Sequence, residues 1–275
     1  MNYRGIFYNK KLLEEEGYQI PSTYAELIDT MQQIKKAGKL PIIFADKDSW
    51  TIHQGWDAID MSSRGSQDDF FQNVLNGDAF LYEDSIALDS TRKFLEIRKY
   101  GQKQTVNTGY DEAVKKFANG EAYMFFQGNW AYPMIKKINP DIDLLFMPFP
   151  AYHENQAKVV VKIDATLGVS ASCKHLEAVE QFLDYVFSKN VSEYYADKAG
   201  AYSCIKSVDV EDSYAKAFTD SIRSGEFFLE EFAYETEKSD AINALFQNFI
   251  SSPQRDTEKS FLKELNDLLI QQKGD

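Results

Sequence analysis

Gly5-Ile6-Phe7-Tyr8-Asn9-Lys10-Lys11-Leu12-Leu13, followed by Gly17, Pro21-Ser22-Thr23 and Leu40-Pro41-Ile42-Ile43-Phe44, is the stretch on which the fold turns. The apolar run Gly5–Tyr8 reads as a short strand. Asn9 can cap a helix over Lys10–Glu16 that Gly17 stops. Thr23 and Glu26 have T-x-x-E capping-box spacing, and Leu27, Met31 and Ile34 share one face of the helix that follows. Lys35 and Lys36 suit its negative C-terminal end, and Gly38 ends it. Leu40–Phe44 reads as a buried strand. The order β-α-α-β within 45 residues predicts an α/β layer structure.

The same reading continues outward. Helices are expected at about 68–75, 86–100, 110–119 and 131–138, with strands at Ala122–Phe126 and Leu144–Met147. Pro148-Phe149-Pro150 marks a change of direction and a candidate boundary. Val159–Ile163 and Gly168–Ser170 read as strands, Ala201–Ile205 as extended chain. Helices are expected over Leu176–Phe187, 191–198, 211–224, 236–250 and 256–272, with a Phe- and Glu-rich loop at 225–235. The C-terminal third is therefore a helical layer, expected to lie against the first α/β unit.

The 275 residues suffice to bury a core without a disulfide framework. Asp and Glu number 43 against 30 Lys and Arg, a balance that argues against nucleic acid or an anionic membrane as main partner. No run approaches the ~18 apolar residues of a membrane helix. The first nine residues lack a signal-peptide core, which taken alone would mean cytoplasm. Cys173 and Cys204 form no C-x-x-C, and His53, His153 and His175 form no metal-binding pattern. A Cys173–Cys204 bridge and two ordinary thiols both stay open. Gly168-Val169-Ser170-Ala171-Ser172 fails the G-x-S-x-G nucleophile elbow, because Ser172 replaces the second glycine. No phosphate loop or dinucleotide fingerprint occurs, so no cofactor is implied.

Three blocks carry a resemblance. The first is Tyr8-Asn9-Lys10-Lys11-Leu12-Leu13, Gly17, Pro21-Ser22-Thr23-Tyr24-Ala25-Glu26-Leu27 and Gly38-Lys39-Leu40-Pro41-Ile42. The second is Phe117-Ala118-Asn119-Gly120-Glu121-Ala122-Tyr123-Met124 with Gly128-Asn129-Trp130-Ala131. The third is Gly168-Val169-Ser170, Glu177-Ala178-Val179, Phe182-Leu183 and Gly200-Ala201-Tyr202-Ser203. In this order they resemble the bacterial extracellular solute-binding proteins, the carbohydrate-binding family that includes maltose-binding protein. Tyr24 stands where the family usually has Trp, and Ser203 where it often has Pro.

The resemblance implies a type II periplasmic-binding-protein-like α/β fold whose two lobes close on a ligand. It assigns 1–155 and 207–275 to lobe two, 163–204 to a remnant of lobe one, and 156–162 and 205–206 to hinge crossings. Members begin with a signal peptide, often a lipoprotein one, and with βα units that precede the Tyr8-Asn9 block. The chain is thus expected to lack most of lobe one, to bind weakly or not at all, and to associate through the exposed remnant. The implied location is outside the cell, periplasmic or as a cell-surface lipoprotein with its anchor in the missing part. The implied partners are a carbohydrate and the permease of an ATP-binding-cassette importer.

A sugar offers an apolar C–H face and a rim of hydroxyls, so its site needs an aromatic platform and nearby polar groups. The resemblance puts a sugar-stacking aromatic at Trp130 and lines the cleft with the loop that carries Asp48 and Trp50. Asp164 lies at the second crossing, where lobe-one groups meet ligand. His53, with Gln54 and Trp56, and Tyr132 are further candidates, with packing as the competing role. Two rivals remain: a solute-binding protein for a polyamine, metal complex or glycerol phosphate, and a carbohydrate-active enzyme with an Asp/Glu pair. The loops at 46–56 and 128–134 carry only Lys47 as a basic residue, which favours a neutral ligand over an anion.

Overall fold

The computed structural model describes residues 1–64, 69–150, 159–163, 166–206, 208, 213–230, 236–252 and 257–270. In chain order the elements are β1 (Asn2–Asn9), α1 (Lys10–Glu15), α2 (Tyr24–Lys36), β2 (Leu40–Ile43), α3 (Trp50–Ser62), α4 (Phe70–Asn76), α5 (Ser85–Arg98), α6 (Tyr110–Ala118), β3 (Ala122–Gly128), α7 (Tyr132–Ile138) and β4 (Leu144–Met147). Then follow β5 (Val159–Lys162), α8 (Leu176–Val186), α9 (Lys189–Ala199), α10 (Lys216–Ser224), β6 (Phe227–Glu230), α11 (Thr236–Ser251) and α12 (Glu258–Ile270).

The local signals act as read. The Asn9 side chain accepts from the Leu12 N–H, and Thr23 and Glu26 complete a reciprocal capping box. Gly17 and Gly38 adopt the left-handed conformation that stops each helix.

β1 is the centre of a six-stranded mixed sheet with main order β2-β3-β1-β5-β6. One edge of β1 pairs antiparallel with β3 from Arg4 to Tyr8. Its other edge is divided: residues 2–4 pair with β5 and residues 6–9 with β4. Gly5 sits at the changeover, where a Cβ would lie 2.1 Å from the Met147 carbonyl oxygen and 2.8 Å from the Phe218 ring. Only glycine lets the two neighbours approach this closely.

Alternation along β1 sends side chains to two cores. Ile6 and Tyr8 join Leu27, Met31, Trp56, Phe94, Phe246 and Phe261 beneath α2, α3, α5, α11 and α12. Tyr3 and Phe7 join Val114, Phe117, Phe146 and Phe218 beneath α6 and α10. The sheet is therefore sandwiched between helical layers, and the C-terminal helices α11 and α12 do pack on the first α/β unit.

Three readings are corrected. Residues 227–230, expected within a loop, form β6, parallel to β5, because Phe228 and Glu230 turn inward while Leu229 faces out. Trp50, expected in a loop, opens α3, a helix whose burial on nearly every side erases its polar face. Gly168–Ser170 forms no strand. Val159–Lys162, read as a strand, is one, and pairs with both β1 and β6 inside the sheet.

Residues 166–206 behave differently. α8 buries none of its residues, and Phe182 and Tyr185 are 55% and 67% exposed. The segment is anchored at Gly200, whose carbonyl accepts from Tyr3 Oη (3.3 Å), Asn129 Nδ2 (3.1 Å) and Tyr214 Oη (2.6 Å). Cys173 and Cys204 are free thiols. Among the described residues no helix is long and apolar enough to cross a membrane.

The crowding at Gly5 makes a direct prediction. Gly5→Ala should lower the free energy of unfolding by roughly 1–3 kcal/mol through overpacking, measured by urea denaturation. Gly55→Ala, whose Cβ would meet only ring carbons at 3.8 Å or beyond, should cost much less.

Candidate functional site

The carboxyl ends of β2, β3, β5 and β6 and the amino end of β1 meet at one edge of the sheet, as the pairings require. Open α/β sheets place ligands at that edge. β2 exits into a segment clamped from two sides. The Gln102 side chain receives the Phe44 N–H (3.1 Å) and donates to the Phe44 carbonyl (2.6 Å). Buried Asp46 is ion-paired with Arg98 at 2.5 Å. Asp48 Oδ2 then accepts the Tyr110 N–H at 2.6 Å, which ties the loop to the start of α6. Asp48 thus fixes the loop that delivers Trp50.

β3 ends at Gly128 and Trp130 follows in a single 3-10 turn. A Cβ at residue 128 would lie 2.1 Å from the Trp130 ring, so glycine there lets the indole fold back over the strand end. Asn129 holds the turn, its Oδ1 accepting the Tyr3 N–H at 2.9 Å. Trp50 and Trp130 face one another with centroids 6.2 Å apart and rings inclined by 51°. Tyr110 extends the wall, 5.3 Å from Trp50.

Beside Trp130 lies a cavity of about 120 Å³, lined by Asn2, Arg4, Gln54, Val160, Lys162 and Glu230. Arg4, Lys162 and Glu230 come from β1, β5 and β6 and share one face of the sheet. Glu230 accepts from Lys162 Nζ at 2.8 Å and pairs with Arg4 Nη1 at 2.8 Å. Arg4 also reaches buried Asp57 of α3 at 3.5 Å. A smaller recess adjoins it beneath Gln54, Gln127 and Gly128. Two buried polar atoms at the cavity, Gln54 Oε1 and Trp130 Nε1, have no hydrogen-bond partner. Such atoms are costly to leave unmet, so their convergence marks a place for a polar guest.

The other sequence candidates separate. His53 is buried between α3 and α11, with Nδ1 2.8 Å from Asn243 Oδ1 and its ring against Phe246. Trp56 is a core residue whose Nε1 donates to Thr91 Oγ1 at 2.9 Å. Tyr132 stacks on Tyr214 at 4.0 Å and covers Gly200. Asp164 lies outside the described residues. Sequence reasoning missed Arg4, Lys162 and Glu230, because only the strand register brings them together. Arg4 and Lys162 add basic groups from outside the loops at 46–56 and 128–134, and Glu230 neutralises part of their charge.

A larger groove of about 810 Å³ runs past Arg92, Glu96, Lys99, Gln104 and Glu258. No aromatic ring lines it, and it lies away from the Trp50–Trp130 wall. Size therefore does not identify the site here; the aromatic wall and the unmet polar atoms do.

His53 has a pH consequence. Burial pushes its imidazole down to about 4, and the charge of Arg4 adds to the effect. The unfolded chain, with a histidine near 6.5, binds the proton more readily, so stability is full above about pH 6.5 and falls as pH drops toward 4. Urea denaturation at pH 7 and pH 5 should show a loss that shrinks by roughly 1–2 kcal/mol in His53→Gln.

The model of the family described as bacterial extracellular solute-binding protein matches residues 1–192. A multiple sugar-binding protein of Streptococcus mutans is 29% identical over 215 residues, which is 75% of this chain and 50% of that protein. An uncharacterised ABC transporter extracellular-binding protein of Pyrococcus horikoshii is 21% identical over 77% of this chain and 48% of its own. The chain spans about half the length of these curated relatives. Among solved structures, the solute-binding protein RafE in complex with raffinose superposes with a TM-score of 0.80 at 22% identity, covering 99% of this chain and 72% of that one. The fold is periplasmic-binding-protein-like, as the resemblance implied.

Proposed function

We propose, from the premise that the chain belongs to the bacterial extracellular solute-binding protein family, that it captures a carbohydrate for an ATP-binding-cassette importer. The observation that carries this reading is the Trp50–Trp130 wall beside the unpartnered Gln54 Oε1 and Trp130 Nε1. Indole faces match the C–H face of a pyranose, and donors and acceptors at their edge match its hydroxyls. The names of the relatives point the same way: one is a multiple sugar-binding protein, and the compared structure holds raffinose. Function is then reversible capture without bond chemistry, outside the cell, with the loaded form handed to a membrane permease. A lipid anchor would suit that place.

Residues 163–204 are best read as part of the lobe that faces this wall. Their exposed apolar residues, with anchorage confined to the end of α9 and the residues just after it, support that reading. A ligand held by one wall alone binds weakly, because half of its surface stays in water.

A panel of neutral oligosaccharides, raffinose included, should perturb the tryptophan fluorescence of the purified chain at millimolar concentration. Trp130→Ala should weaken the best-bound member at least about fivefold, from roughly 1 kcal/mol of lost stacking. Trp130→Phe should retain most of the affinity. A response to glycerol phosphate or a polyamine with none to any sugar of the panel would overturn the carbohydrate reading.

A further inference from the structure

The carbohydrate reading leaves the ionic cluster under Trp130 without a role, and its chemistry is specific. Arg4 is fully engaged: Nη1 pairs with Glu230 at 2.8 Å and with Asp57 at 3.5 Å, and Nη2 donates to Glu230 Oε1 at 3.2 Å. Glu230 is buried, so its charge is felt at close range. Lys162 is one-third exposed at the cavity and gives one contact to Glu230, which leaves ammonium protons to spare. Two cations and two carboxylates balance. Around them stand one unpartnered acceptor, Gln54 Oε1, and one unpartnered donor, Trp130 Nε1.

This set fits one kind of group. A hydroxyl both donates and accepts, so neighbouring hydroxyls can give a proton to Gln54 Oε1 while receiving from Trp130 Nε1 or Lys162 Nζ. A carboxylate or phosphate has no proton for Gln54 Oε1 and would meet Glu230. An ammonium would meet Lys162 and Arg4. A volume of about 120 Å³ takes the hydroxyl-bearing edge of one ring and not a whole oligosaccharide.

Resting on the carbohydrate reading, we propose that Glu230, Arg4, Lys162 and Gln54 form a charge-balanced subsite that selects the uncharged, hydroxyl-rich end ring of the ligand and rejects acidic and amino sugars. Selection arises from like-charge juxtaposition against the wrong ligand as much as from contacts to the right one. Glu230 and Lys162 then determine specificity from two strands that the sequence separates by 68 positions.

The test compares three probes on the full chain: the best-bound neutral trisaccharide of the panel, trigalacturonate and a trimer of glucosamine. Binding is read by titration calorimetry at low salt. The unaltered chain should prefer the neutral trisaccharide. Glu230→Gln should shift the ratio of affinities toward trigalacturonate by at least about tenfold. Lys162→Gln should shift it toward the glucosamine trimer by several-fold. Because Lys162 is partly exposed, its variant folds even if loss of Glu230 leaves buried Arg4 unsupported; circular dichroism checks both. Binding that requires Trp130 but keeps the same preference in both folded variants would overturn the subsite alone. Binding of glycerol phosphate or a polyamine, with no binding of the three probes or of any panel sugar, would overturn the carbohydrate reading and the subsite with it.

Discussion

The divided edge of β1 is the constraint on which the rest of the molecule depends. A strand has two edges, yet β1 pairs with three neighbours, β3 on one side and β5 and β4 in succession on the other. That division works only if the chain can pass from one partner to the next without a side chain at the changeover, and Gly5 stands there. Around it the alternation of Tyr3, Ile6, Phe7 and Tyr8 supplies both cores. The pairing with β5 also decides what lies at the sheet's edge, since Arg4 comes one residue before Gly5 and faces Val160.

Placing Arg4 there has consequences of its own. A guanidinium that leaves water must find opposite charge and hydrogen bonds, or the strand cannot stay buried. Glu230 and Asp57 provide them from β6 and α3. The counter-charges thereby fix the register of β6 relative to β5 and the approach of α3 to the sheet. Removing either partner would leave a buried charge uncompensated, which costs more than the pair contributes. The cluster that shapes the cavity is therefore also a structural tie among three strands and a helix.

What could be read from the sequence follows from where the information sits. The cap at Asn9, the Thr23–Glu26 box and the stops at Gly17 and Gly38 are local, and each acts as its chemistry dictates. Trp50 and Trp130 were nameable through the family resemblance and not through any local period, and the structure brings their rings together. β6 was hidden because four residues, Phe-Phe-Leu-Glu, show no alternation of polarity when Glu230 is the inward residue. α3 was hidden because burial on nearly all sides leaves no polar stripe to reveal a helical period. Asp48 and His53 were candidates for ligand contact, and both side chains are engaged within the protein. Asp48 spends its carboxylate on the Tyr110 amide, and His53 faces α11. No spacing rule could join Arg4, Lys162 and Glu230, since their meeting is a product of strand register.

The anchorage of residues 166–206 links the aromatic wall to the segment with exposed apolar residues. Gly200 has a left-handed backbone, and its carbonyl gathers donors from β1, from the turn that carries Trp130, and from Tyr214. Tyr132, two residues beyond Trp130, lies over the same glycine and stacks on Tyr214. A displacement of α9 must therefore strain the Asn129 side chain together with the Tyr3 and Tyr214 hydroxyls. Asn129 in turn holds the Tyr3 amide and so the amino end of β1, one residue from Arg4. From α9 the path to the floor of the cavity therefore runs through Asn129 and, directly, through the Tyr3 hydroxyl, and both lead to the strand that carries Arg4.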